Sequence, residues 1–445
     1  MAHIHCLPLE VVDLILFYFV KDFEETWKNS RNSAKQAPVP DHLLLELLNL
    51  RLLGKSWALR VLPYAYQNLH FSSALKMNSF VETWNNSATI STMARLSRLS
   101  FDQITCPDLD CEFGSDRVNI GSLASYRIDF EKDNFNYKSI ILEDIEEIIK
   151  FCGQTLAGLK FSFKAGAGFT PNIIELIKEV KGLRVLIIEA NPYGVRQNHS
   201  KSIRALLNVT AGLESLSLDI GSIGTLDLSE EALPRLKHLS AACDTNDLGA
   251  ITELCETRGR NISCLEYLTH PDCDRAAKVI LALQNSLEVL FIESIPNRVP
   301  AEISDWHFPK LKIIRSINST IESPSLAWLQ LGFVKNMRIY VTDYWSSKKY
   351  WRKGLKALKG KELKRPVGFN NIVFITGKEQ DLEENKELKR IFGYHQIRCH
   401  FIQQLDYVEL EADWDHGIWD LTGVRGIRET DHALCARWYR DLNQE

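Results

Sequence analysis

The chain has 445 residues, of which 45% are hydrophobic and 25% are charged, and its formal net charge is −4. This composition predicts a folded chain that is long enough for two or three domains or for one repeat array. The small net charge excludes a general electrostatic attraction to nucleic acid, so we do not expect nucleic acid as a partner. Because the sequence has no run of about 18 apolar residues, we expect no membrane partner either.

The ten cysteines are scattered along the chain, and none forms a Cys-x-x-Cys pair. The nearest approach to a ligand cluster, His395-x-x-x-Cys399-His400, lacks a second pair at zinc-finger spacing, so we predict no metal and no cofactor. The N-terminus does not follow the pattern of a signal peptide. Thiols without such a signal predict a reducing compartment, the cytoplasm or the nucleus.

The first predicted element is a helix that begins near Leu7 and Pro8. Proline suits the first turn of a helix, where its missing N–H costs nothing, and the charge of Glu10 favours the same turn. Apolar side chains then cover most of the segment through Val20. A helix that is apolar nearly all round must be buried in a core or against a partner.

A polar stretch over residues 21–42 follows and predicts a loop or insert. Apolar residues return at helical spacing over 43–66, where Leu44 and Leu48 are one turn apart. Pro63 is expected to end or kink this helix. The N-terminal part therefore contains two short apolar helices that are separated by a polar insert.

The two ends of this region carry a family resemblance. Leu7-Pro8-x-Glu10-Val11 with Ile15-Leu16, and then Leu50-Arg51-Leu52-Leu53-x-Lys55-Ser56-Trp57, resemble an F-box of the kind found in many fungal F-box proteins. Residues 21–42 depart from that pattern by lengthening the connection between the first two helices. The resemblance implies a box that binds the Skp-type adaptor of a cullin ubiquitin ligase, while the rest of the chain presents a protein substrate.

The resemblance also implies a set of adaptor-binding residues. They are Leu7, Pro8, Val11, Val12, Ile15, Leu16, Leu50, Leu52, Leu53 and Trp57. Some of them must pack the helices on each other instead, and the sequence does not sort which. The chain shows none of the phosphate-loop, nucleophile-elbow or zinc-protease motifs, so we predict a non-catalytic component and no catalytic residue.

From about residue 74 onward, a short apolar-x-x-apolar-x-apolar pattern recurs. It begins at residues 96, 123, 156, 183, 213, 236, 265, 287, 311 and 334, with spacings of 22 to 33 residues. Near-regular units of this length are typical of leucine-rich repeats. Each unit predicts a short strand followed by a helical stretch, and units this small must stack to bury a core.

Together these patterns predict an α/β solenoid that consists of helical F-box residues and an irregular leucine-rich-repeat array. We assign the F-box to 1–72, the array to 73–342 and a C-terminal part to 343–445. Parallel strands would line a concave face, and its residues show no preference for one substrate class: Glu189, Ser215, Ser217, Asp219 and Glu293. A conventional α/β domain, in which strands and helices also alternate, is the competing interpretation.

The C-terminal part combines a basic run with an acidic, aromatic one. Residues 348–365 hold nine basic side chains and one acidic one, which predicts either the solvated face of a repeat helix or a surface for an acidic partner. Residues 409–420, with Trp414 and Trp419, predict an interface or an edge packed on the basic run. Segments 370–376 and 405–411 predict further rungs or a capping sheet.

Besides an enzyme, two alternatives to the adaptor remain open from the sequence. In one, the N-terminal helices are an intramolecular cap on the repeat array. In the other, the chain is a leucine-rich-repeat scaffold outside ubiquitin chemistry, which binds an acidic partner through the basic run 348–365. The substrate and the oligomeric state are not predicted.

Overall fold

The computed structural model describes residues 7–24, 41–86, 96–105, 139–164, 166–190, 200–220, 223–243, 248–269, 276–295, 299, 301–319, 325–358, 361–376 and 386–402. Several sequence predictions lie outside these ranges. They are most of the insert 21–42, the repeat unit at residue 123, the rung at 405–411 and the acidic, Trp-containing stretch 409–420.

The described strands form one parallel sheet of 13 strands. They are β1 Asn68–Phe71, β2 Arg98–Thr105, β3 Ile140–Ile141, β4 Gly158–Phe163, β5 Val185–Ala190, β6 Ser215–Asp219, β7 His238–Cys243, β8 Cys264–Thr269, β9 Val289–Ile295, β10 Ile313–Ser319, β11 Ile339–Asp343, β12 Asn371–Ile375 and β13 Arg398–Ile402. Along the sheet the strands follow chain order, except that β3 pairs with β2 off this path. The predicted α/β architecture with parallel strands is confirmed.

Eleven α-helices are described. They are α1 Leu9–Glu24, α2 Asp41–Leu50, α3 Lys55–Ala65, α4 Ala74–Asn86, α5 Leu142–Cys152, α6 Pro171–Lys178, α7 Ser200–Val209, α8 Gly249–Arg258, α9 Ala276–Ala282, α10 Tyr344–Ala357 and α11 Lys386–Tyr394. Side-chain caps mark the starts of two helices. Thr170 caps α6 ahead of its proline, and Asp343 caps α10. Within the described part of the chain, no helix is both long and apolar enough to cross a membrane.

The main core lies between the sheet and the helices. Leu159, Leu186 and Leu216 are register partners in neighbouring strands, and each is at most 2% exposed. Apolar side chains from the helices, such as Ile145 of α5 and Ile173 of α6, belong to the same core. Each buried aliphatic side chain of this kind contributes roughly 1.5–3 kcal/mol through the hydrophobic effect. We call the other side of the sheet, formed by the alternate strand positions, the open face.

The strand register corrects two of the predicted repeat units. Leu239 pairs with Leu265, so Leu265 takes the second position of its unit and Ile262 takes the first. Ile313 pairs with Ile339, which likewise places Met337 at the first position instead of Val334. Both predictions were wrong by three residues, because the first two positions of the pattern are themselves three residues apart and a shifted frame still satisfies it.

The sheet extends beyond the range 73–342 at both ends. Strand β1 lies inside the range 1–72 that was assigned to the F-box helices, and it pairs directly with β2. At the other end, β12 falls within the rung predicted at 370–376, and β13 follows it. Repeat-like strands are therefore present on both sides of the predicted array.

Helix α10 carries the first part of the basic run 348–365. Its aromatic residues Tyr350 and Trp351 are buried, whereas Lys349 and Lys353 are exposed. Arg352 and Lys356 lie 3.6 and 2.7 Å from the carboxylate of Glu387 on α11. In this helix the basic side chains therefore form a solvated outer face, which is the first of the two interpretations given above.

Candidate functional site

Helices α1, α2 and α3 form a small module with a core of its own. Its members are Val12, Leu16, Leu47, Trp57, Val61 and Ala65, and none of them is more than 4% exposed. The main-chain oxygen of Pro8 accepts hydrogen bonds from Val11 and Val12 at the start of α1. Arg60 of α3 also pairs with Asp13 of α1 at 3.1 Å. This arrangement holds α3 against α1.

The module exposes an unusual amount of apolar surface. Of the 13 large hydrophobic residues that are exposed in the described chain, six belong to this module: Leu9, Leu14, Ile15, Leu45, Leu52 and Leu59. Leu52 is the most exposed of them, at 79%. Single exposed leucines are ordinary on protein surfaces, whereas a concentration of them marks a candidate binding surface.

The structure sorts the ten predicted adaptor-binding residues into two groups. Those that pack in or against the core of the module are Val12, Leu16, Trp57, Leu7, Leu50 and Leu53. Those with substantial surface are Pro8, Val11, Ile15 and Leu52. The sequence analysis did not select the exposed Leu9, Leu14, Leu45 and Leu59. A helix that is apolar nearly all round cannot bury every side chain in one small core, so the residues on its other side must be exposed or covered by a partner.

The open face of the sheet is the second candidate surface, and its N-terminal end is polar. His70 Nε2 lies 2.7 Å from Asp102 Oδ2, and Lys160 Nζ lies 3.1 Å from Glu189 Oε2. Burial alone would raise the pKa of Asp102, but the hydrogen bond from His70 and the charge of Lys160 outweigh it and hold that pKa below its usual value. This end of the face therefore carries paired charges.

A row of buried polar side chains crosses the middle of the open face. Ser215 Oγ lies 2.7 Å from His238 Nδ1, and His238 Nε2 lies 3.6 Å from Glu266 Oε1. Hydrolases use the same residue types, but their serine oxygen is open to substrate. Here all three residues are at most 2% exposed, so the geometry makes them a buried polar network.

The C-terminal half of the open face contains an apolar cluster. We call it the open-face strip, and it consists of Cys264, Val289, Ile313, Ile339, Val341, Val373 and Ile375. Arg315 is placed among these side chains, and its guanidinium Cζ lies 4.7 Å from the centre of the Phe291 ring. The sequence analysis missed Arg315 and Glu266, and the available signal was a charged residue at an alternate position of an apolar strand.

Two clefts lie in the described part of the chain away from these surfaces. One of them, about 570 Å³, lies where strands β6 to β10 begin and includes Arg235, Lys237, Arg260 and Glu288 among its lining residues. Across the described ranges, His, Cys, Asp and Glu side chains form no cluster that could hold a metal ion. These regions offer no built site that competes with the two surfaces.

Comparison with known proteins assigns no family. No family model matches the chain, and no curated protein matches its sequence. The function is therefore argued from the apolar module and from the open face of the sheet.

Proposed function

We propose that the chain is a substrate-recognition adaptor of a Skp–cullin–F-box ubiquitin ligase. In this proposal, helices α1 to α3 are an F-box that binds the Skp-type protein, and the sheet is an irregular leucine-rich-repeat solenoid that presents a substrate. The chain performs no chemistry itself. It holds a target at high effective concentration near the ubiquitin-carrying enzyme, in the cytoplasm or the nucleus.

The exposed apolar side chains of the module carry the proposal. A module with a core of its own has no folding need for Leu45 and Leu52 at its surface, because burial elsewhere already stabilises it. A partner groove that covers these side chains removes them from water at roughly 25 cal/mol per Å². The F-box resemblance at 7–16 and 50–57 names the partner that such a surface would fit.

The order of the sheet supports the second half of the proposal. Successive strands add one after another, so the open face grows along the chain and provides a long surface. Its polar end, near His70 and Lys160, carries partly exposed charged side chains that a protein substrate could contact.

Co-purification with a Skp-type adaptor tests the proposal directly. Leu52→Glu should reduce the amount of bound adaptor at least tenfold, because a charge would replace a contact residue without entering the core of the module. Val367→Glu is the matched control, since Val367 is fully exposed far along the chain and its replacement should leave binding unchanged. Equal adaptor binding by wild type and Leu52→Glu would exclude this surface as the docking site.

One observation favours the alternative in which the N-terminal helices cap the array. Tyr66, directly after α3, packs against the core of the module and also against the main core. A cap would use this contact to protect the first strand, and the chain would then be a scaffold outside ubiquitin chemistry. Tyr66→Ala distinguishes the two. A cap predicts that this variant loses protection of β1 against hydrogen exchange and that the wild type binds no adaptor. The adaptor proposal predicts that the wild type binds the adaptor.

A further inference from the structure

The open-face strip is buried although the described helices pack elsewhere. Its six most buried members are 0–6% exposed, and all of its members lie on strands. The helices of the array contribute their apolar side chains to the main core on the other side of the sheet. Valine and isoleucine side chains on a solvent-facing sheet would retain much more accessible surface. Something other than the described helices therefore accounts for the low exposure of the strip.

Arg315 adds a chemical requirement to this surface. It is 7% exposed, and its Nη1 atom makes no hydrogen bond. It shares one row of the sheet with Glu266, Phe291 and Val341, so the ring of Phe291 separates it from the nearest carboxylate in that row. Burial lowers the pKa of Arg315, and the nearby charges of Glu266 and Asp343 offset only part of this cost of removing its charge from water. A buried guanidinium with an unused donor calls for an acidic partner group.

The chain itself contains a segment with this chemistry. After Ile402, at the end of β13, it continues for 43 residues (403–445). Within 405–420, six carboxylates occur without a single lysine or arginine: Asp406, Glu409, Glu411, Asp413, Asp415 and Asp420. The same stretch carries large apolar side chains: Leu405, Tyr407, Val408, Leu410, Trp414, Ile418 and Trp419.

Distance permits this segment to reach Arg315. Strand β13 is three strands away from β10, or roughly 14 Å at the usual strand spacing. An extended chain covers about 3.3 Å per residue, so four or five residues span that distance. The acidic stretch therefore begins within reach of the strip.

We propose that the open-face strip binds the C-terminal segment 403–445 of the same chain, with a carboxylate from 405–420 paired to Arg315 and with apolar side chains of that stretch covering the strip. The inference goes beyond the adaptor proposal and does not depend on it, because it concerns only the sheet and the segment that follows.

Photo-crosslinking in the full-length protein tests which segment covers the strip. Benzoyl-phenylalanine is introduced in place of Ile375, a partly buried member at the border of the strip. We expect cross-links within the monomer to peptides from 403–445. Cross-links confined to residues 106–138, cross-links to a second copy, or no cross-link would each overturn the proposal.

Two thiols provide an independent measurement in the full-length chain. Cys264 belongs to the strip, whereas Cys255 lies in the main core on α8, and both are at most 1% exposed. When the six carboxylates of 405–420 are replaced by the matching amides, we expect Cys264 to react with iodoacetamide at least tenfold faster and Cys255 to react at its wild-type rate. Arg315→Gln should have the same effect.

The amide variant keeps the test decisive, because it changes no residue of the sheet. If it leaves the Cys264 rate at the wild-type value, the segment does not cover the strip through its charges and the proposal fails. A parallel rise in Cys255 reactivity in this variant would mean that the segment supports the whole fold and not the strip, which also contradicts the proposal.

Discussion

The indole N–H of Trp328 donates a hydrogen bond of 3.0 Å to the hydroxyl of Tyr350, and that hydroxyl donates in turn to the main-chain oxygen of Ser325 at 2.6 Å. Both aromatic rings also contact Trp351. Burial raises the pKa of Tyr350, so its hydroxyl keeps the proton that it donates to Ser325. These two consecutive hydrogen bonds, which we call the relay, join α10 to the segment between β10 and β11.

Removal of the Tyr350 hydroxyl should therefore destabilise the C-terminal part of the sheet. Tyr350→Phe keeps the ring but leaves the Trp328 donor and the Ser325 acceptor without this partner, which costs about 1–3 kcal/mol. Urea unfolding followed by circular dichroism measures the loss. Tyr394→Phe is the control, because Tyr394 is 70% exposed and its hydroxyl should contribute less than about 0.5 kcal/mol. Equal midpoints for the two variants would contradict the structural role of the relay.

Trp57→Ala should unfold the N-terminal module and leave the sheet intact. Trp57 lies in the core of the module, which is separate from the main core, and such a truncation costs about 3–5 kcal/mol. Hydrogen exchange should accelerate in α1 to α3 and stay unchanged in β5 to β9. Leu59→Ala, at an exposed position on the same helix, should change neither region. Faster exchange throughout the sheet would show that the module and the sheet fold as one unit.

His400 should make stability depend on pH. Burial, with the nearby charges of Arg398 and Lys389, lowers its folded-state pKa from 6.5 to about 4. Between these values the unfolded chain binds a proton that the folded chain does not, so stability falls as the pH drops from about 6.5 to about 4 and levels off below. His400→Gln removes this contribution. Urea midpoints at about pH 7 and about pH 5 should therefore differ less in the variant than in wild type; an unchanged difference would contradict the shift.

Two glycines should respond to alanine in opposite directions. A Cβ at Gly332 would lie 2.7 Å from the main-chain oxygen of Asp305, so the backbone has to move. A Cβ at Gly393 would meet nothing within 4 Å, and this residue lies in α11. Gly332→Ala should lower the melting temperature, whereas Gly393→Ala should stabilise the helix by up to about 1 kcal/mol. Thermal unfolding of both variants measures the contrast, and a change of the same sign in both would refute this packing.

The strands of the array could be predicted because their inward residues repeat. Leu159, Leu186 and Leu216 fall at the expected positions, and the register confirms them. Strand β13 was not predicted, since Arg398 and His400 alternate with its inward Cys399 and Phe401 and the pattern is weak there. Strand β1 was not predicted, because the segment before it resembles the end of an F-box.

The two surfaces were harder to predict, for a physical reason. Along α1, Val12 and Ile15 are both apolar, and only the packing of α1 into the core of the module decides that one is buried and the other exposed. On the open face, Arg315 lies beside residues contributed by other strands. Burial of this kind depends on pairing between distant segments, and a local pattern does not contain it.

The chain-order arrangement of the sheet has a consequence for its evolution. Because each strand along the sheet contacts the strands before and after it, the packing of a unit is set almost entirely by its two neighbours. Gene duplication or deletion of one strand-and-helix segment would therefore create a single new junction and preserve every other one. The length of the open face can change by whole units while the ends keep their structure.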